Sequence, residues 1–166
     1  TPLQMVSAFG ALANGGLKVT PTAILEIKDR QGNVLESYRE AEGGQVFTPE
    51  TSYIISNILS DDGARAQVFG RGSLLNIPNY NVAVKTGTSN DKRDNWTIGY
   101  TPSVVIGVWV GNNDNTPMDP KLASGVTGAA PIWNKSMKEF LKGKKNEPFV
   151  RSDKIIEVDV DALTGL

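Results

Sequence analysis

The chain has 166 residues, enough for one domain with its own core, and its 39% apolar and 21% charged residues are ordinary globular usage. The net charge of −1 offers no basic excess for nucleic acid or for an anionic membrane surface. With no cysteine and no histidine, the chain cannot supply disulfides, thiolate or His-ligated metals, a Cys nucleophile, a Ser-His-Asp triad or a His general base, so proton transfer falls to Lys, Asp, Glu, Tyr or hydroxyl groups.

Leu3, Val6, Phe9 and Leu12–Ala13 recur at helical spacing, which predicts a helix over 1–14 with those residues on its apolar face. Thr1 and Gln4 have capping-box spacing, Pro2 suits the first helical position, and Gly15-Gly16 can end the helix. A capped helix at the first residue is expected of a cut within a longer protein, and Thr1-Pro2-Leu3-Gln4 is not a signal peptide. Two strands come next, at Thr22–Lys28 and Val34–Tyr38, joined as a hairpin by the turn-rich Asp29–Asn33. Residues 39–44 read as a polar loop. Thr48-Pro49 repeats the cap-plus-proline signal, and Ile54, Ile55, Ile58 and Leu59 form the apolar stripe of a second helix over 49–60.

Residues 61–81, with Gly63, Gly70, Gly72 and Pro78, read as loop with room for one short helix. Strands are predicted at Val82–Thr86, Asn95–Tyr100 and Ser103–Val110, and the Thr101-Pro102 link makes the last two antiparallel neighbours. Ser103–Val110 is almost wholly apolar, as expected of a strand covered on both faces. It contains the longest apolar run, Val104–Val110 with Gly107 inside it, far short of the roughly 20 residues that span a bilayer. A polar loop over 112–120 leads to a last helix, starting near Pro131 and stopping at Gly143. Ile155–Val160 alternates loosely and reads as a strand or a linker. The sum is an α+β fold in α/β/α layers, a mainly antiparallel sheet flanked by helices.

The segment richest in chemistry is Lys85-Thr86-Gly87-Thr88 at a strand end. Lys85 brings positive charge, Thr86 and Thr88 bring hydroxyls, and Gly87 lets another backbone approach, a combination suited to an extended peptide with a terminal carboxylate. Strand alternation puts Lys85 and Gly87 on one face and Thr86 and Thr88 on the other; a twisted edge strand beside a cleft would let both pairs contribute. On its own this tetrapeptide reads first as a strand ending in a glycine turn.

Its surroundings add to it. VAVKTGTSNDKRDNWTIGYTPSVVIGVWVGNND resembles the third catalytic motif and following strands of penicillin-binding proteins. TPLQMVSAFGALANGG at the start and GAAPIWNKSMKEFL near the end resemble the same family, in its order. The resemblance covers about residues 1–142 and is strongest to the transpeptidase domain of the class A, bifunctional members, and DVDALTGL is similar to the segment on the C-terminal side of that domain. It implies the C-terminal half of a transpeptidase domain over 1–142, with 143–166 a linker or tail, within a penicillin-binding transpeptidase or serine β-lactamase-like fold.

The implied activity is serine acyl transfer that cross-links peptidoglycan stem peptides at D-Ala-D-Ala, with β-lactams trapped at the acyl stage. It needs no cofactor and no metal. Lys85 is implied to act electrostatically and to engage a second motif. Thr86 and Thr88 are implied to bind the terminal carboxylate, with Gly87 and Ser89 beside them at the substrate, and the Thr88 backbone N–H to be an oxyanion-hole donor. The implied location is the extracytoplasmic face of a bacterial cytoplasmic membrane.

The family also uses S-x-x-K for nucleophile and base and S-x-N on a second loop, both upstream of the opening helix, and neither stands here in that place. Ser89-Asn90-Asp91-Lys92 has the spacing but sits in a loop directly after the tetrapeptide. Ser136 and Lys138 are misspaced, and Ser52 and Ser56 have no lysine three positions on. The expectation is therefore no nucleophile in this chain and, as partners, the upstream half of the domain, stem peptides and β-lactams. The rival readings are a non-catalytic module that holds wall peptides or β-lactams, and a D,D-carboxypeptidase or β-lactamase on the same scaffold.

Other features read blandly. The Asn95-Trp96-Thr97 sequon lies in a strand. Asn112–Asn115 and Asp159–Asp161 lack EF-hand spacing and read as solvated loops. Lys142, Lys144 and Lys145 suit a helix dipole, Trp96, Trp109 and Trp133 suit packing, and Asp94 is placed to brace the loop after the tetrapeptide, with no catalytic role.

Overall fold

A computed structural model describes residues 1–39, 43–119, 127–161 and 163–165. The elements in chain order are α1 (Pro2–Ala13), β1 (Glu26–Lys28), β2 (Val34–Ser37), α2 (Pro49–Ser60), α3 (Asp62–Phe69), β3 (Ala83–Thr88), β4 (Asp94–Thr101), β5 (Val104–Gly111) and α4 (Ala129–Leu141). Helix α1 has the expected capping box: Gln4 N–H donates to Thr1 Oγ1, and the Thr1 amine donates back to Gln4 Oε1 at 2.8 Å. Thr48 and Asp61 cap α2 and α3 in the same way, through Thr51 N–H and Ala64 N–H. Helix α3 is the short helix allowed for in the glycine-rich stretch.

Strands β3, β4 and β5 form one antiparallel sheet in that order. Directly paired residues share a face. Ala83, Lys85 and Gly87 therefore lie on the face of Trp96, Ile98 and Tyr100, while Val84, Thr86 and Thr88 lie on that of Asn95, Thr97 and Gly99. The first face meets α1 and α2. Val6 of α1 packs where a Cβ on Gly107 would lie only 2.6 Å from it, and Phe9 meets Tyr100 edge-on with ring centroids 6.2 Å apart. The second face meets α4, where Trp133 lies so close to Gly99 that a Cβ there would overlap its ring. The core sits on this side and joins Val84, Trp133, Met137 and Leu141 to Leu75, Ile77 and Val82. The α/β/α layering is thus as expected.

The differences are physical. The predicted apolar stripe of α2 is only partly turned inward: Ser52 and Ser56 are buried, Ile55 and Leu59 beside them are half-buried, and Ile54 and Ile58 are exposed. Small side chains let α2 come close to the sheet, and the Ser56 hydroxyl lies 3.0 Å from the buried Tyr100 hydroxyl. Burial raises the Tyr100 pKa, and the bond to Ser56 opposes part of that rise. On α1, Leu3 is exposed rather than packed. Strand β5 is half-buried at every residue rather than covered, because helices lie over its faces while its outer edge pairs with no strand among the described residues.

Strands β1 and β2 form a separate hairpin, shorter than predicted and exposed throughout. Lys18 N–H bonded to the Gly44 carbonyl at 3.0 Å, and a bridge between Leu17 and Gln45, close its base. Residues beyond 142, expected as a linker or tail, fold back on the domain. Tyr80 Oη donates to the Lys144 carbonyl at 3.0 Å, Phe149 packs edge-on against Tyr100, and Ser152 Oγ donates to Glu50 at 2.7 Å. The Ser152 hydroxyl holds the Glu50 carboxyl below its ordinary pKa. Residues 155–160 form no strand.

Candidate active site

Strand β3 runs through Gly87 and Thr88 rather than stopping at Thr86, because β4 pairs with it out to Thr88–Asn95. The whole tetrapeptide Lys85–Thr88 is thus strand. Ser89 N–H donates to the Asp94 carbonyl at 3.0 Å, so that pair is a hydrogen-bonded rung. Rungs alternate along an antiparallel ladder. Gly87–Trp96 and Lys85–Ile98 are bonded rungs, and the N–H and C=O groups of Thr86 and Thr88 point the other way. They face the outer edge of β3, which has no partner strand among the described residues.

The site residues distribute around that edge. Lys85 is exposed on the α1/α2 face, and its Nζ donates to the Thr86 carbonyl at 2.5 Å. Thr86 and Thr88 turn their side chains to the other face. Gly87 has a Cβ position only 3.6 Å from Trp96 Cβ, ordinary contact, so its bare Cα leaves an open approach rather than relieving a clash. A strand edge carrying two N–H groups, the Thr88 C=O and a Thr86 C=O that also accepts from Lys85, with a cation and two hydroxyls beside it, can take an extended peptide as an added strand and hold an anionic end.

Ser89 is engaged differently. Its hydroxyl donates to Asp94 Oδ2 at 2.9 Å and accepts from Asp94 N–H at 2.8 Å. Asn90–Lys92 then form one 3-10 turn with Asp91 and Lys92 in the left-handed region, at φ 57° and 55°. The Ser89-x-x-Lys92 spacing lies across this turn and not on a helix. Trp109 Nε1 donates to Asp94 Oδ1 at 2.8 Å, so Trp109 both packs and bonds. Trp133 is wholly buried in the core, as read from sequence. Asn95 is buried as well: its Oδ1 accepts Ala129 N–H at 2.9 Å and starts α4, so the sequon is inaccessible.

The oxygen-rich loop folds on itself. Thr116 donates from its hydroxyl and its N–H to Asp114, which holds that carboxyl below its ordinary pKa. Lys144 lies 3.4 Å over the Phe140 ring rather than serving the helix end alone. A depression of about 540 Å³ lies away from the tetrapeptide, between the end of α1, α2 and Phe149–Asp153. Among the described residues, no cluster of three metal-ligating side chains occurs, and no helix is long and apolar enough to cross a membrane.

The model of the penicillin-binding protein transpeptidase domain matches residues 1–138, and the chain belongs to that family. Among curated relatives, penicillin-binding protein 1A of Neisseria meningitidis is 32% identical over 151 residues, covering 89% of this chain and 18% of that protein. Penicillin-binding protein 1A of Rickettsia typhi is 32% identical over 181 residues, covering 98% of this chain and 23% of that one. The chain thus spans about a fifth of the length of these relatives. The crystal structure of penicillin-binding protein 1A from Haemophilus influenzae superposes with a TM-score of 0.82 at 23% identity, over 100% of this chain and 30% of that one. The imipenem acyl-enzyme of penicillin-binding protein A from Mycobacterium tuberculosis superposes at 0.67 with 24% identity, over 83% of this chain and 30% of that one. These likenesses show the shared α+β fold.

Proposed function

We propose that this chain forms the substrate-binding wall of a serine D,D-transpeptidase, and that the nucleophile-bearing half of the domain lies in sequence outside it. The observation that carries this is the free outer edge of β3, with the backbone groups of Thr86 and Thr88 turned outward beside Lys85. A stem peptide ending in D-Ala-D-Ala adds to that edge as a strand. The Thr86 and Thr88 hydroxyls bind its terminal carboxylate, and Lys85 acts electrostatically. A serine Oγ of the other half attacks the penultimate carbonyl, and the charge that develops on the carbonyl oxygen is met by the Thr88 backbone N–H. Such a donor contributes about 3 kcal/mol to the transition state. The amide bond to the terminal D-Ala then breaks, and the acyl group passes to the amine of a second stem peptide.

β-Lactams occupy the same edge and stop at the acyl-enzyme. Solved acyl-enzyme complexes of a fold relative with imipenem and with penicillin G support this reading. So do the exposed apolar residues of α1 and α2, a surface suited to the missing half of the domain. The reaction belongs at the extracytoplasmic face of a bacterial cytoplasmic membrane, where peptidoglycan is assembled, and it needs no cofactor.

The test is covalent labelling of the full-length protein with a fluorescent penicillin, read by gel and by intact mass. Lys85→Ala is expected to slow labelling by about 100-fold. Wild-type labelling in that variant removes Lys85 from the site. The 166-residue chain alone is expected to gain no drug mass; a gain would place a nucleophile inside it, with Ser89 the first suspect.

A further inference from the structure

Asp94 makes more contacts at the candidate site than its place on the second strand requires. Its carbonyl accepts Ser89 N–H at 3.0 Å, its N–H donates to Ser89 Oγ at 2.8 Å, and its Oδ2 accepts the Ser89 hydroxyl at 2.9 Å. Its other oxygen accepts Trp109 Nε1 from β5 at 2.8 Å. The Ser89–Asp94 rung is therefore unusual. One of its two backbone bonds is replaced by a side-chain oxygen, and the same carboxylate ties it to the third strand.

We propose that Asp94 is a positioning residue for acyl transfer: by clamping Ser89 it fixes the direction of the Thr88 backbone N–H. The proposal rests on the reading of β3 as the substrate edge. The Thr88 N–H lies in the Gly87–Thr88 peptide, which belongs to the Gly87–Trp96 rung, and the next peptide, Thr88–Ser89, is held by the Ser89–Asp94 rung, so the two rungs together set the backbone on either side of Thr88. Just beyond, Asp91 and Lys92 adopt left-handed conformations that L side chains disfavour. Arg93 bonded to the Asn115 carbonyl and Met118 N–H bonded to the Lys92 carbonyl at 3.1 Å hold the far side of that turn. Asp94 holds the side next to Thr88. An oxyanion donor acts through placement, and an error of about 1 Å costs on the order of 100-fold in rate.

Two features separate positioning from direct catalysis and from generic packing. Each Asp94 oxygen already receives a donor, and Asp94 lies on β4, behind the edge that faces substrate. The Trp109 contact is built in as well. A Cβ on Gly111 would lie 2.6 Å from the Trp109 ring and 2.8 Å from the Arg93 carbonyl, so only glycine leaves the indole its path to Asp94.

The experiment measures labelling of the full-length protein by a fluorescent penicillin across concentrations, separating the first-order acylation constant from the half-saturating concentration. Melting curves accompany each variant. Asp94→Ala is expected to lower the acylation constant by about 100-fold with the half-saturating concentration little changed. Asp94→Asn keeps the backbone bonds and an oxygen for Trp109, and is expected to stay within about tenfold of wild type. Gly111→Ala, which keeps the Asp94 side chain but displaces Trp109 and presses on the Arg93 carbonyl, is expected to fall between them. Wild-type acylation in Asp94→Ala, with Lys85→Ala slow, overturns the proposal and leaves the site reading standing. If Asp94→Ala does not fold, Gly111→Ala decides: a folded Gly111→Ala that acylates at the wild-type rate also overturns it. Wild-type acylation in both Lys85→Ala and Asp94→Ala removes the site reading and the proposal together.

Discussion

On one face of the β3–β4–β5 sheet, α4 seats Trp133, Met137 and Leu141 at 0, 0 and 3% exposure against Val84 and Gly99. On the other, α1 and α2 bury small and polar groups, Ala11, Ser52 and Ser56, and leave Ile54 and Ile58 at 45 and 59%. The same sheet thus has a face closed by large apolar side chains and a face whose helices turn apolar surface outward. The difference locates where this chain is self-sufficient. Core burial of a large aromatic supports the α4 side from within, whereas the outward face of α2 gains nothing from burial inside the described residues.

The comparison breaks first at Trp133. Trp133→Ala is expected to cost about 4 kcal/mol, from the lost transfer of the ring and the cavity it leaves beside Gly99. Urea unfolding measures it, and a cost near that of a surface substitution would mean the α4 side is not the principal core. At the buried contact between α2 and the sheet, Tyr100→Phe leaves Ser56 without its hydroxyl partner and is expected to cost about 1 kcal/mol at neutral pH. The sign with pH comes from the raised Tyr100 pKa. The folded state favours the neutral phenol, so this contribution is complete below the unfolded value of about 10 and is lost as pH rises through the folded value. Stability measured from about pH 8 to 11, the range around that unfolded value, should fall at the alkaline end in wild type, and the fall should shrink in Tyr100→Phe.

The smallest effect sharpens the contrast. Ile54→Ser and Ile58→Ser should each stay within about 0.5 kcal/mol in this chain alone. In the full-length protein the same changes should cost about 2 kcal/mol if another part of the domain covers that face. Equal, small effects in both settings would mean that the face meets solvent in the whole protein too.

Local chemistry is well written in the sequence. The Thr1–Gln4 box, the Thr48-Pro49 start and the Asp29 turn all close within four residues, so spacing alone reveals them. The two-residue link between β4 and β5 fixes their antiparallel pairing for the same reason. The inward face of α2 is not legible there, because periodicity shows that a helix has an apolar side but not which side another element will meet. Here Tyr100, 44 residues away, supplies the hydroxyl that selects Ser56. Helix α4 starts two residues before the predicted Pro131, with Gly128 as its N-cap, and its first N–H, of Ala129, is satisfied by Asn95 from a strand 34 residues upstream.

At the candidate site, residue identities and alternation are legible, and the division of Lys85 and Gly87 from Thr86 and Thr88 between two faces comes from the period of a strand. That the Thr86 and Thr88 backbone groups point outward depends on which rungs are bonded, and that is set by Ser89 meeting Asp94 across the turn. Asp94 is recognisable as a brace, but its second anchor, Trp109, lies on a third strand and becomes its neighbour only through the β4–β5 register. The sequence by itself determined the elements, the chemical groups of the edge and the family resemblance, because each is carried by side-chain type and short spacing. Only the tertiary structure decided which edge of β3 stays open and which side of α2 is buried, because both depend on backbone pairing and close approach between segments far apart in the chain.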